Sequence, residues 1–147
     1  MYEQVGYGTI GNHWQERHCM TPHSLVDGIN RIGAAHWNRR LFDSLIPLPD
    51  GTSYNAYLVR GSEKTALIDT VDPAMQDTLM AQLADIDRID YIVANHAEQD
   101  HAGTIPTLLR AYPDATVLCS GKCKQMLIDL LQISERRIET VADRESR

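Results

Sequence analysis

The sequence predicts a single α/β domain, and three observations carry that prediction. From Leu25 onward, short apolar runs bounded by turn residues alternate with apolar stripes at helical spacing. From the hairpin at residues 53–68 onward the alternation runs strand, strand, helix, strand, helix, strand, helix, strand, the order of a sheet flanked by helices. A chain of 147 residues with 43% hydrophobic and 23% charged residues is also long enough to build one hydrophobic core.

Each element has its own signal. Residues 1–24 carry Gly6, Gly8, Gly11, His13, His18 and His23 without apolar periodicity, which predicts a disordered tail and leaves Met20 as an alternative start. A strand over 29–37 precedes Pro47-Leu48-Pro49-Asp50-Gly51, a rigid loop and turn. Residues 53–59 and 64–68 read as a hairpin joined at Gly61-Ser62-Glu63. Asp72 followed by Pro73 starts a helix, to which Met75, Leu79, Met80 and Leu83 give one apolar stripe as far as about residue 85. A strand over 89–94, a helix over 104–111, a strand over 116–119, a helix over 122–131 and a strand over 138–141 complete the series.

Charge and cysteine usage exclude several classes of protein. With 14 Lys+Arg against 20 Asp+Glu, the net charge of −6 argues against a broad grip on nucleic acid or anionic lipid. No apolar run approaches the roughly 20 residues that span a bilayer, and the N-terminus lacks the pattern of a signal peptide. Cys19, Cys119 and Cys123 do not form an even-numbered disulfide framework, so a reducing, cytoplasmic setting is expected.

One stretch carries chemistry. Asn95-His96-Ala97-Glu98-Gln99-Asp100-His101-Ala102-Gly103 follows an apolar strand and precedes a helix, the place where open α/β sheets hold functional sites. In a locally extended segment His96, Glu98 and Asp100 lean to one side and His101 to the other. Four ligands on one ion would then demand a sharp fold, whereas two ions about 3.5–4 Å apart are served more easily, by His96 and Glu98 on one and Asp100 and His101 on the other. Imidazole and carboxylate donors without thiolate suit iron, manganese or zinc. A solvated loop that happens to gather acids and histidines is the plain alternative.

The run His96-x-Glu98-x-Asp100-His101 resembles the ligand motif of the flavodiiron proteins, whose iron domain has the metallo-β-lactamase αββα fold. Hydrolases of that fold carry histidine at the position of Glu98, and a carboxylate there is a harder ligand that favours iron in higher oxidation states. Trp37-Asn38-Arg39-Arg40-Leu41-Phe42-Asp43, Gly51-Thr52-Ser53-Tyr54-Asn55-Ala56-Tyr57-Leu58 and Ala66-Leu67-Ile68-Asp69-Thr70 are similar to the family as well. The resemblance implies His96 and Glu98 on one iron, Asp100 and His101 on the other, and Asp69 orienting the ligand loop by hydrogen bonding. It implies an oxidoreductase that reduces dioxygen to water or nitric oxide to nitrous oxide at a non-haem di-iron centre. Electrons would come from FMN in a flavodoxin-like domain and from a donor flavoprotein or rubredoxin-like protein, in a head-to-tail homodimer. Residues 25–147 would be the N-terminal half of the iron domain, without the family's later histidines and bridging aspartate, and hence a fragment, a truncated product or one piece of a split protein whose isolated activity is doubtful. The alternatives are a metal-dependent hydrolase of the same fold and an inactive remnant or interaction domain.

Other candidates carry less. His13, His18, Cys19 and His23 match no structural zinc spacing and are read as an inert tail. Cys119 and Cys123 are expected to be buried, unreactive thiols. Ser120-Gly121-Lys122 lacks the glycine-rich loop of a phosphate cradle. The Met75 stripe is expected in the core, Arg136-Arg137 in a solvated turn, and His36 in a structural role on its strand.

Overall fold

The computed structural model describes residues 22–142. The expectations for His13, His18 and Cys19, for Met20 and for most of the tail lie outside the described residues. In chain order the elements are β1 (His23–Val26), β2 (Ile29–His36), β3 (Leu41–Phe42), β4 (Ile46–Pro47), β5 (Thr52–Arg60), β6 (Thr65–Ile68), a 3-10 turn (Pro73–Met75), α1 (Gln76–Gln82), β7 (Tyr91–Ala94), α2 (Gln99–Ala102), α3 (Ile105–Ala111), β8 (Thr116–Cys119), α4 (Gly121–Leu131), a second 3-10 turn (Glu135–Arg137) and β9 (Ile138–Thr140). A seven-stranded sheet in the order β1-β2-β5-β6-β7-β8-β9 organises them. It is antiparallel from β1 to β6 and parallel from β6 to β9.

Strand alternation decides which face is covered. Tyr54, Ala56 and Leu58 of β5 are buried while Ser53 and Asn55 are exposed, the period of two that puts one face on a core. Leu58, Leu67, Ile92, Val117 and Ile138 lie side by side in the strand register and all belong to that core, together with Leu79 of α1, Leu108 of α3 and Leu127 of α4. The next row, Tyr57, Ile68, Val93 and Leu118, points to the opposite face, and none of these four is in the core cluster.

Helix α1 is tied to the sheet by a side chain acting as a strand. Gln82 accepts from the Gly33 amide at 2.8 Å and donates to the Gly33 carbonyl at 2.9 Å, which satisfies a backbone segment beyond the end of β1. Gly33 has φ +129°, and a Cβ there would come within 2.1 Å of the Tyr54 carbonyl oxygen, so only glycine fits.

The structure differs from the sequence expectation in identifiable places. His23 and Ser24, assigned to the tail, begin β1, whose residues are all exposed and so carry no alternation to read. Between residues 37 and 52 a two-stranded ribbon, β3 and β4, turns through Asp43 (φ 47°) and Ser44 (φ 60°). The strand expected over 89–94 is regular only from Tyr91, although the amide of Asp90 bonds to Thr65 and its carbonyl to Thr116. Arg137, expected in a solvated turn, is partly buried and donates to the Ala115 carbonyl at 2.8 Å.

Candidate metal centre

The carboxyl ends of β6 and β7 place the site. Asp69 follows β6 and Asn95 to Glu98 follow β7, at the rim where parallel strands present functional loops. Asp69 sits in the left-handed region at φ 56°, which a short polar side chain tolerates and which marks a functional position more often than a random one. Its amide bonds to the Val93 carbonyl at 2.8 Å, fixing the residue against β7. The carboxylate is 8% exposed as part of Asp69 and is fully engaged: it accepts from the Asn95 amide at 2.9 Å, from Asn95 Nδ2 at 3.1 Å and faces His101 Nδ1 at 3.2 Å.

The ligand stretch is not extended throughout, and here the expectation is corrected. Glu98 is extended (φ −64°, ψ 145°), but Gln99–Ala102 forms the single turn of α2, closed by the amides of His101 and Ala102 on the Glu98 carbonyl at 3.0 and 2.8 Å. That turn swings His101 back toward His96 instead of away from it, and the two imidazole rings lie 3.9 Å apart. The segment after Asp69 locks it there. Thr70, fully buried, donates to the His101 carbonyl from both its amide and its hydroxyl at 2.7 Å, and Thr104 Oγ1 donates to the Val71 carbonyl at 2.8 Å. The roles of Thr70 and Asn95 had no readable signal beyond their place next to Asp69 and His96.

All four sequence-predicted ligands reach one rim, in two pairs. His96 Nε2 is 3.6 Å from Glu98 Oε2, and His101 Nε2 is 3.5 Å from Asp100 Oδ2. Two donors each about 2.1 Å from one ion at ordinary coordination angles stand roughly 3.0–3.5 Å apart, so the Asp100–His101 pair has the spacing of ligands on a shared ion and the His96–Glu98 pair stands just beyond it. Asp69, His96 and His101 also offer donor atoms within 4.8 Å of one another. With its oxygens taken by three donors, Asp69 suits the part of a carboxylate that fixes a histidine tautomer: His101 Nδ1–H points at it and leaves Nε2 for a metal. The donor set is imidazole and carboxylate. Cys119 and Cys123 are buried just behind the rim, with Cys119 paired to Ala94 across β7 and β8 and Cys123 Sγ 3.8 Å from the Ala94 carbonyl, and burial, followed by the Cys123 thiol, pushes the Cys119 pKa up to about 12.

A second polar cluster flanks the centre. His36 Nδ1 is 3.0 Å from the Tyr54 hydroxyl, to which Arg39 Nη1 donates at 3.3 Å, and the same Arg39 atom bonds Asp72 Oδ2 at 2.6 Å. Asp72 Oδ1 caps the first 3-10 turn at the Ala74 amide, 2.9 Å away. His36 is therefore part of a network rather than a lone strand histidine.

Comparison with known proteins identifies the fold and the family. The Metallo-beta-lactamase superfamily description matches residues 49–146, and the chain belongs to that superfamily. Within it the likeness is to the N-terminal part of flavodiiron proteins. The chain is 44% identical over 105 residues to the nitric oxide reductase of Moorella thermoacetica, covering 69% of this chain and 26% of that protein. It is 42% identical over 100 residues to the rubredoxin-oxygen oxidoreductase of Megalodesulfovibrio gigas, covering 66% and 25%. The crystal structure of the flavodiiron protein from Giardia intestinalis superposes with a TM-score of 0.77 at 27% identity, covering 86% of this chain and 31% of that one. The chain thus spans about a quarter of the length of the curated relatives it matches. No helix among the described residues is long and apolar enough to cross a membrane.

Proposed function

We propose that this chain forms the first ligand-bearing part of a flavodiiron-type oxidoreductase that reduces dioxygen or nitric oxide. The observation that carries the reading is the pairing on one rim of His96 with Glu98 and of Asp100 with His101. His96 and Glu98 would hold one iron and Asp100 and His101 the other, with Asp69 orienting His101. A carboxylate at Glu98 favours iron redox chemistry over the hydrolysis of other superfamily members. When bound, the iron pair supplies the redox equivalents for the substrate. The protein's own residues set its ligand geometry: the Glu98 carbonyl closes α2, Thr70 fixes the His101 carbonyl, and Asn95 and Asp69 fix the start of the loop. Electrons would arrive from an FMN-bearing flavodoxin-like domain or a flavoprotein or rubredoxin-like donor, in a head-to-tail homodimer and in a cytoplasmic setting. The test is turnover: iron-loaded chain supplied with a reduced flavoprotein consumes dioxygen or nitric oxide if the reading holds. Preference for zinc with phosphodiesterase or esterase turnover would favour the hydrolase instead.

A further inference from the structure

Helices α1, α3 and α4 pack on one face of the sheet, and the other face carries an ordered row of side chains. Arg31 of β2 pairs with Tyr57 of β5, Tyr57 with Ile68 of β6, Ile68 with Val93 of β7, Val93 with Leu118 of β8, and Leu118 with Glu139 of β9. Directly paired residues share a face, so one line runs from β2 to β9 with a cation at one end, a carboxylate at the other and apolar side chains between. Arg31 is half-buried, yet its Nε is shut off from water and has no hydrogen-bond partner among the described residues. A buried N–H donor without an acceptor is costly, and this one sits beside Tyr57 on the face away from the helices.

The line is its own complement. A two-fold axis parallel to the strands, between β6 and β7, sets a second copy face to face with the first and reverses the row. Ile68 then meets Val93, Tyr57 meets Leu118 and Arg31 meets Glu139, each pair occurring twice. The neighbouring row obeys the same operation, for the half-buried Ala66 of β6 meets the half-buried Tyr91 of β7, a small side chain against a large one. Sheets stacked with their strands nearly aligned, about 10 Å apart, are an ordinary form of sandwich.

We propose that this face docks a second copy of the chain and that Arg31 and Glu139 fix its register by pairing across the interface. The Arg31 guanidinium gains the acceptor that its own chain does not give Nε. An ionised carboxylate has about four acceptor sites, so Glu139 can take an arginine beside a bond within its own chain. Charge complementarity selects this occupant: a purely apolar partner would leave Arg31 Nε unpaired, whereas β2 and β9 lie equally far from the axis and bring cation to carboxylate. The axis preserves strand direction, so the candidate ligands after β6 and β7 of both copies lie at the same end of the sandwich, next to the axis. The proposal needs neither the reductase reading nor the head-to-tail pairing that accompanies it.

Sedimentation of the full chain, with no metal added, tests the proposal. The parent should pass from monomer to dimer as its concentration rises, and an apolar dye bound to the face at low concentration should be released over the same range. Arg31→Glu and Glu139→Arg each set like charges against one another twice in a dimer of identical copies, and each should weaken dimerisation on the order of 10²-fold. Mixed in equal amounts the two variants should dimerise as the parent does, because both pairs are then again of opposite charge. Cooperative unfolding like the parent's shows that each variant folds. Ile68→Lys, at the centre of the face, should abolish dimerisation independently of either charge variant. A parent that stays monomeric, a dimer that survives Ile68→Lys, or folded charge variants that dimerise singly as the parent does or fail to recover when mixed would each overturn the proposal. None of these readouts involves iron, so the reductase reading stands or falls separately.

Discussion

Asp69 shows how much one residue does at this rim. Its left-handed backbone turns the carboxylate onto Asn95 and His101, and three donors converge on it. Asp69→Ala should therefore weaken iron binding by about 10–100-fold, the usual effect of removing a partner of a metal-binding histidine, read by iron titration against a chelator. The candidate ligands were legible because they fall within one short run after an apolar strand. The cluster of His36, Arg39, Tyr54 and Asp72 was not, since its members come from separate elements that only the sheet register brings together. The cysteines give a second residue-scale prediction. Thiol reagents at pH 8 should leave Cys119 and Cys123 unmodified in the folded chain and label both once it is unfolded, because burial raises both thiol pKa values. Rapid labelling of the native chain at either position would contradict this.

At the scale of elements, side chains complete what strands leave open. Gln82 stands in for a strand at Gly33, so Gln82→Leu should cost about 1–3 kcal/mol by leaving buried amide groups unpaired, measured by denaturant unfolding. Asp90 joins β6 to the loop before β7: its carboxylate accepts from the Thr65 amide at 2.9 Å and pairs with Lys64 at 3.1 Å and with Arg88. Burial alone would raise its pKa, but the Thr65 bond, the Lys64 bond and the charges of Arg88 and Lys64 together hold it below the ordinary 3.8. A carboxyl with a lower pKa folded than unfolded stabilises the fold above the unfolded value, and that stability is lost as pH falls through the folded value. Asp90→Asn should lower stability at neutral pH and flatten its loss below about pH 4, seen in unfolding curves taken across that range. The main strands and helices were legible from period and punctuation. The single turn of α2 was not, because Gln99-Asp100-His101-Ala102 is too short to show a helical stripe, and tertiary bonds from Thr70 hold it. The ribbon of β3 and β4 escaped for a similar reason, its strands being two residues each and largely exposed.

For the whole molecule, the sheet is unequal on its two faces. One is packed by α1, α3 and α4, whereas Tyr57, Ile68 and Val93 on the other remain partly exposed in a continuous apolar row. Such a strip should bind an apolar fluorescent dye in the native state, and Ile68→Lys with Val93→Lys should abolish that signal without loss of cooperative unfolding. Fold class and the place of the candidate site after β7 were read from the sequence, as was the exposed apolar surface expected of a half domain; which residues form that strip became visible only once the register showed which of them stand side by side. The account as a whole turns on whether the rim binds iron. The decisive measurement is elemental analysis of the chain purified anaerobically with iron supplied, beside the double variant His96→Ala/Asp100→Ala. About two iron ions per chain, lost in the variant, is the result expected of a two-metal ligand set. Iron that persists in the variant, or a parent chain that binds no more than the variant does, would contradict it.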